Sequence, residues 1–192
     1  MTITQTQPRR GTTDDRRRAI AAAARALIVE KGVEGLRTRD IAERVGINVA
    51  TLHYHVPSKE ALIGLVAESL KDEFRRQSAG RPRAALTPGQ RLDHEFSDFR
   101  EMYFERPEVL AVMSEMMERA RRDPVIKAAL HPLMARWREM MADILQDGAA
   151  DGTFRDDLDP EPAAQMVVVA MVSFWRSGAN NTEAYYERNC AD

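Results

Sequence analysis

Cysteine is almost absent from this chain. Cys190 stands alone in 192 residues, so no disulfide can form within the chain, which suits a reducing compartment. A redox switch would need a resolving thiol that the sequence does not hold. The first twenty residues have no apolar core of the kind a secretory signal uses. Long hydrophobic runs are missing too. The longest, Met166 to Trp175, is broken by Ser173 and falls far short of the ~20 residues of a membrane span. A soluble, cytoplasmic protein with no membrane partner is expected. There is no Gly-rich phosphate loop, no nucleophile elbow and no HExxH word. Carboxylates are plentiful but scattered over polar helix faces, where solvation accounts for them. No catalytic constellation emerges, so the chain does not read as an enzyme. His53 and His55 resemble a metal pair, yet residues two apart on a helix point to nearly opposite sides. Nothing at four-residue spacing completes a zinc site, and His94 and His131 are solitary. No metal or other cofactor is expected. Strand-like alternation of useful length is also lacking, which points to an all-α fold.

Strong net charge is the next absence, since the formal total is only −2. The distribution is less even than the total. Residues 1–60 hold eleven Lys/Arg against seven Asp/Glu, and the remainder seventeen against twenty-three. A basic head on an acidic body suits nucleic-acid contact by the head alone. Arg9, Arg10, Arg16, Arg17 and Arg18 form a small basic arm at its leading end.

What the sequence does contain is most informative between Leu36 and Leu65, LRTRDIAERVGINVATLHYHVPSKEALIGL. Thr38 can cap a helix in which Ile41, Ala42 and Val45 recur at helical spacing. Gly46 can take the left-handed conformation that closes that helix and turns the chain. Asn48 caps a second run, Val49-Ala50-Thr51-Leu52-His53-Tyr54-His55, of about two turns. Leu52 and Val56 set its inner edge. Thr51, His53, Tyr54 and His55 remain to face outward or partly outward. Pro57 stops this helix, and Ser58 caps the next. Upstream, Ile20, Ala23, Ala24, Leu27 and Ile28 make the inner stripe of a third helix that Gly32 ends. Two helices set steeply around a tight turn can push the second into a DNA groove.

These residues resemble the tetracycline-repressor (TetR) family of bacterial transcription regulators. The likeness covers roughly Ala19 to Val66. Its strongest words are Asp40-Ile41-Ala42, Gly46-Ile47, Thr51-Leu52-His53-Tyr54-His55 and Pro57-Ser58-Lys59-Glu60-Ala61-Leu62. The order His53-Tyr54 departs from the family's more usual aromatic-first pattern. The resemblance implies a homodimer, each subunit carrying one such head on an all-helical body that dimerises and holds a small-molecule pocket. It also implies that Thr38, Arg39 and Lys59 touch the phosphate backbone and that Thr51, His53, Tyr54 and His55 belong to the recognition helix. With Asn48, Val49 and Ala50 at that helix's start, these ten residues form the expected DNA-binding set.

Beyond the head, Ser58 to Gln77 reads as one long amphipathic helix joining head to body. Ala79-Gly80-Arg81-Pro82-Arg83 reads as a flexible joint. Further helices start at Thr87-Pro88, at Pro107 and at Asp123-Pro124. The last of these carries a stripe from Ile126 to Leu145; Pro132 should bend it or split off its first turns, and Gly148 and Gly152 should end it. Asp159-Pro160 begins a final helix to about Gly178 that is apolar nearly all round. A second subunit is the economical way to cover it. The methionines and aromatics on these helices carry two readings. They can be core filler, or they can line an adaptable apolar pocket. On the second reading the ligand-binding set is Phe96, Phe99, Met102, Tyr103, Met113, Met117, Trp137, Met141 and Phe174. No buried cationic cluster is evident, so an apolar or aromatic effector is expected.

The expected organisation is a helix-turn-helix DNA-binding domain over 12–60 and a helical ligand-binding and dimerisation domain over 61–192. The expected function is a ligand-responsive regulator, most simply a repressor, that binds a palindromic double-stranded DNA operator as a dimer. The rival is a helical small-molecule-binding or enzymatic dimer with an unused DNA-binding head.

Overall fold

In a computed structural model of the chain the described residues are 13–80, 83 and 85–177, with the backbone alone for 175–177. Expectations placed on Arg9, Arg10, Cys190, the Trp175 side chain and a helix end at Gly178 lie outside them. The helices are α1 (Thr13–Lys31), α2 (Thr38–Val45), α3 (Val49–His55), α4 (Lys59–Ala79), α5 (Pro88–Glu105), α6 (Pro107–Ala120), α7 (Pro124–Ala150) and α8 (Pro160–Ser177). A 3-10 turn, Val33–Gly35, links α1 to α2, and no strand occurs among the described residues. The fold is all-α.

Local chemistry sets most of these boundaries. Ser58 Oγ accepts from the Ala61 amide at 3.1 Å. Thr87 and Gln90 form a reciprocal capping box, and the Asp123 carboxylate accepts from the amides of Val125 and Ile126. At the end of α2, Gly46 sits at φ 71°, ψ 38°, and the Ile47 amide donates back to the Ala42 carbonyl at 2.9 Å. That is a Schellman closure, which glycine enters without a Cβ penalty.

Three expectations about individual residues are corrected. Thr38 is the first residue of α2 rather than its cap; Arg37 holds the cap position and makes no side-chain cap bond. The Thr38 hydroxyl is thereby left on an exposed residue. Of the two outcomes expected at Pro132, a bend or a split, the split is ruled out, since α7 runs unbroken for 27 residues. Proline denies the Ala128 carbonyl its helical partner, but Ala128 is exposed and water can serve instead. Gly148 does not end α7 either. It is buried two residues inside the helix, with the Phe154 ring pressed against its bare Cα.

The buried side chains form two clusters. The larger runs from Ile20 to Leu130 and joins the inner faces of α1, α2, α3, α4, α6 and the first turns of α7. Leu62, Ile63 and Val66, in the opening turns of α4, belong to it, so apolar packing is continuous across position 60. The smaller unites Met141, Ala142 and Leu145 of α7 with Ala164, Val168 and Met171 of α8.

Polar contacts also tie head to body. Glu73 of α4 is buried and meets Arg25 of α1 at 3.1 Å. Arg106, at the α5–α6 corner, lies 2.8 Å from the other Glu73 oxygen as an ion pair without hydrogen-bond alignment. From α6, Glu115 accepts the Val33 amide at 3.1 Å, and Arg119 pairs with Glu34.

Candidate nucleic-acid interface and body cavity

The head divides its charged side chains into two groups. Lys31 is paired with Asp40 at 2.9 Å and Arg44 with Glu30 at 2.7 Å, on the side where α1 meets α2. The Lys31 ammonium and the Arg44 guanidinium hold the Asp40 and Glu30 carboxyls below their usual range. Arg39 and Lys59, by contrast, are exposed and have no carboxylate partner among the described residues. Together with exposed Thr38 they are cations and a hydroxyl that no other described residue uses.

The sequence of α3 explains its pose. Leu52 and Val56 are buried and pin one edge to the head's core. Asn48 Oδ1 accepts the Thr51 amide at 2.7 Å, so its carbonyl is spent on the cap. Arg17 of α1 donates to the His55 carbonyl at 3.0 Å and fixes the far end. Arg18 is tied to Asp15. Of the basic arm, then, two members serve the head's own structure. Val49, Ala50, His53 and Tyr54 are exposed, and Thr51 and His55 half-buried. Tyr54 is 82% exposed and meets His55 edge-on at 5.2 Å between ring centroids. A large aromatic side chain left this open contributes nothing to the core.

The body encloses a cavity of about 450 Å³ bounded by α4, α5, α6, α7 and α8. Of the nine residues expected to line it, Phe99, Met102, Met113, Met117 and Trp137 do. The other four lie outside the lining. Phe96 is 43% exposed on the outer side of α5. Tyr103 packs edge-on against Phe104 at 5.0 Å. Met141 is wholly buried in the α7–α8 cluster. Phe174 stands two residues from Val172, which lines the cavity, and so projects to a different side of α8.

The inward face of α5 is built from Glu95, Asp98 and Met102, at i, i+3 and i+7, with Phe99 beside them. Apolar periodicity alone pointed to Phe96, Phe99, Met102 and Tyr103, and so missed the two carboxylates. The two carboxylates turn inward because Arg83 reaches them from the α4–α5 connector. One guanidinium nitrogen pairs with Glu95 and the other with Asp98 at 2.5 Å. Within the expected flexible joint, Arg83 is thus anchored. The Trp137 indole beside Glu95 also favours its charged form. Burial nevertheless pushes the Glu95 carboxyl above its ordinary range; Arg83 opposes the shift and Asp98 adds to it. Phe74, Met134 and Met140 complete the apolar wall, and Lys71, Arg75 and Arg136 reach it from more exposed positions. The methionines were legible as pocket or core; a salt-bridged acidic pair among them was not. Among the described residues no cluster suited to a metal ion occurs, and no helix is long and apolar enough to cross a membrane.

A capped two-turn helix, pinned on one edge and bare on the other, above a helical body with an internal cavity, defines a helix-turn-helix DNA-binding regulator. Comparison with known proteins gives the family. Residues 20–66 match the model of the bacterial regulatory proteins of the tetR family, and residues 88–179 that of the C-terminal part of BetI-type transcriptional repressors. The chain belongs to the TetR family. It is 28% identical over 144 residues to the HTH-type transcriptional repressor KstR2 of Mycolicibacterium smegmatis, covering 75% of this chain and 70% of that one. A TetR-family transcriptional regulator from Rhodococcus sp. superposes with a TM-score of 0.72 at 25% identity, over 86% of this chain and 87% of that one. A transcriptional regulator from Pseudomonas aeruginosa PAO1 shares the fold with a TM-score of 0.79 at 20% identity, over 90% and 83% of the two chains. The family and these relatives are transcription regulators rather than enzymes, and family members bind DNA operators and act as dimers.

Proposed function

We propose that this chain is a ligand-responsive repressor that binds a pseudo-palindromic operator as a homodimer, with its effector in the body cavity. The observation that carries the reading is the bare edge of the head. Thr38, Arg39 and Lys59 are exposed without side-chain partners among the described residues, and Tyr54 of α3 is almost fully exposed. We assign phosphate contacts to these three and contacts to base edges or adjacent backbone to Thr51, His53, Tyr54 and His55. Asn48, Val49 and Ala50 bring the start of α3 to the groove. Phe99, Met102, Met113, Met117 and Trp137 supply the apolar and aromatic wall for the effector. Residues 12–60 act as the DNA-binding unit and 61–192 as the ligand-binding and dimerisation unit. Helix α4 runs from Lys59 in the head to the cavity residues Phe74 and Gln77, so it is the lever between them. An effector moves that lever only as far as it binds one spacing of the two heads better than the other.

Operator titrations at several salt concentrations test the assignments. Lys59→Ala should weaken operator and random DNA alike and flatten the salt slope by about one unit. Thr51→Ala or His53→Ala should cost specific binding by about 1–3 kcal/mol where a base contact is lost. An unchanged affinity and slope in Lys59→Ala would remove its phosphate role.

A further inference from the structure

Glu73 is a buried carboxylate, 7% exposed, that takes no part in the cavity lining. It stands on α4, about 21 Å along the helix from Lys59. A carboxylate withdrawn from water needs partners, and Glu73 draws them from three places. Arg25 reaches it from the middle of α1 at 3.1 Å. Arg106 reaches it from the corner between α5 and α6 at 2.8 Å. Arg76 lies one turn further along α4 itself, at 3.3 Å. The first two hold different parts of the molecule, and each carries the link further. Two turns before Arg25 on α1, Arg17 donates to the His55 carbonyl at the end of α3. On the other side, Arg106 directly precedes α6, whose Leu110 and Met113 line the cavity. Glu73 therefore stands between a wall of the cavity and the helix that clamps α3.

We propose that Glu73 is a positioning residue that sets the angle of the head on the body. Through that angle it selects the spacing of operator half-sites that the dimer accepts. The apolar packing of Leu62, Ile63 and Val66 holds head to body, but burial of apolar surface has no preferred direction. Charged groups drawn to one carboxylate from two sides do have one, and they resist tilt either way. The length of the arm makes small angles count. A tilt of about 10° about Glu73 moves the start of α4 by about 3.5 Å, close to one base-pair step along DNA. Arg25 and Arg106 act in series, since the head is referred to the body only while both hold the carboxylate. Arg76 adds charge to the same group but ties α4 only to itself. The proposal rests on the paired-head operator complex proposed above.

The test uses the full-length protein and an operator that it selects from random-sequence duplex DNA. Versions with one base pair inserted or removed between the half-sites are titrated with the parent and with Arg106→Met, Arg25→Met and Arg76→Met. The parent should bind the altered spacings about a hundredfold more weakly than the selected one. Arg106→Met and Arg25→Met should each narrow that loss to about tenfold. The double variant should narrow it no further, as holds in series require. Arg76→Met removes an equal charge and should keep the parent's profile. Circular dichroism and sedimentation establish that each variant folds and associates as the parent does. Arg106 is 40% exposed in its side chain, so Arg106→Met decides the matter if Arg25→Met does not fold. An Arg106→Met profile equal to the parent's, or lowered by one factor at every spacing, would overturn the proposal. An Arg76→Met profile as broad as that of Arg106→Met would do the same. A parent that shows no preference for spacing would overturn the paired-head reading and this proposal with it.

Discussion

A methyl group added to Gly148 would lie 2.1 Å from the Phe154 ring, whose own amide donates to the Gly148 carbonyl at 2.8 Å. The ring has taken the volume that any larger residue would need. Gly148→Ala should therefore destabilise the protein by about 1–3 kcal/mol, even though alanine is the better helix former. Urea unfolding checks the sign; an unchanged or raised midpoint would show that Phe154 moves aside freely. The sequence could present Gly148 as a stop but not as a socket, because the ring that fills it lies beyond the helix end. Glu95 poses the converse problem. Its native pKa is raised by burial, so the folded protein keeps a proton that the unfolded chain has already released. Stability must then fall as pH rises from the ordinary value of 4.5 towards the raised native value. Glu95→Gln keeps the shape and removes this titration. The difference in unfolding midpoint between parent and variant should shift in the variant's favour across that window. Midpoints that move in parallel would show that Glu95 does not carry the effect.

At the level of elements, the boundaries were legible because caps, prolines and glycines act locally. Asp123-Pro124, Thr87-Pro88 and the Gly46 turn each solve a nearest-neighbour problem that the sequence displays. Contacts between elements were not legible. Nothing in the spacing of α6 shows that Glu115 will accept the Val33 amide or that Arg119 will meet Glu34, 82 and 85 residues away by number. Yet α6 lines the cavity through Leu110, Met113 and Met117 and touches the head through these two side chains. It is a second connection beside α4. Its strength can be read without any ligand. Glu115→Ala leaves the Val33 amide without its acceptor, so its hydrogen-exchange protection should drop. The lost bond should lower stability by about 1 kcal/mol. Exchange at Leu52, anchored within α3, should change little. Equal loss at both sites would mean that the head opens as one unit and that Glu115 is not a local joint.

For the whole molecule, the decisive surface is α8. Its Ala164, Val168 and Met171 are buried against α7, so one face is already satisfied within the subunit. Met166 is 73% exposed and Val169 49%, on a helix with little polar surface to offer water in their place. Sequence alone called for cover on every side of this helix; the structure supplies it on one. A second copy that packs its own α7 and α8 there would bury both residues, at about 25 cal/mol for each Å² of apolar surface removed from water. The same contact would set the distance between the two heads, since each α4 is packed on α7 of its own body. Val169→Asp places a charge in that face without touching the cavity or the head. It should give a folded, helical monomer in sedimentation at micromolar concentration. Specific operator affinity should fall with it, by about two to four orders of magnitude, because two linked heads gain from effective concentration what a single head cannot. Non-specific binding should fall far less, as each head keeps its Arg39 and Lys59. A Val169→Asp protein that stayed dimeric would move the interface away from α8. A monomer that kept full operator affinity would show instead that the heads do not act as a pair.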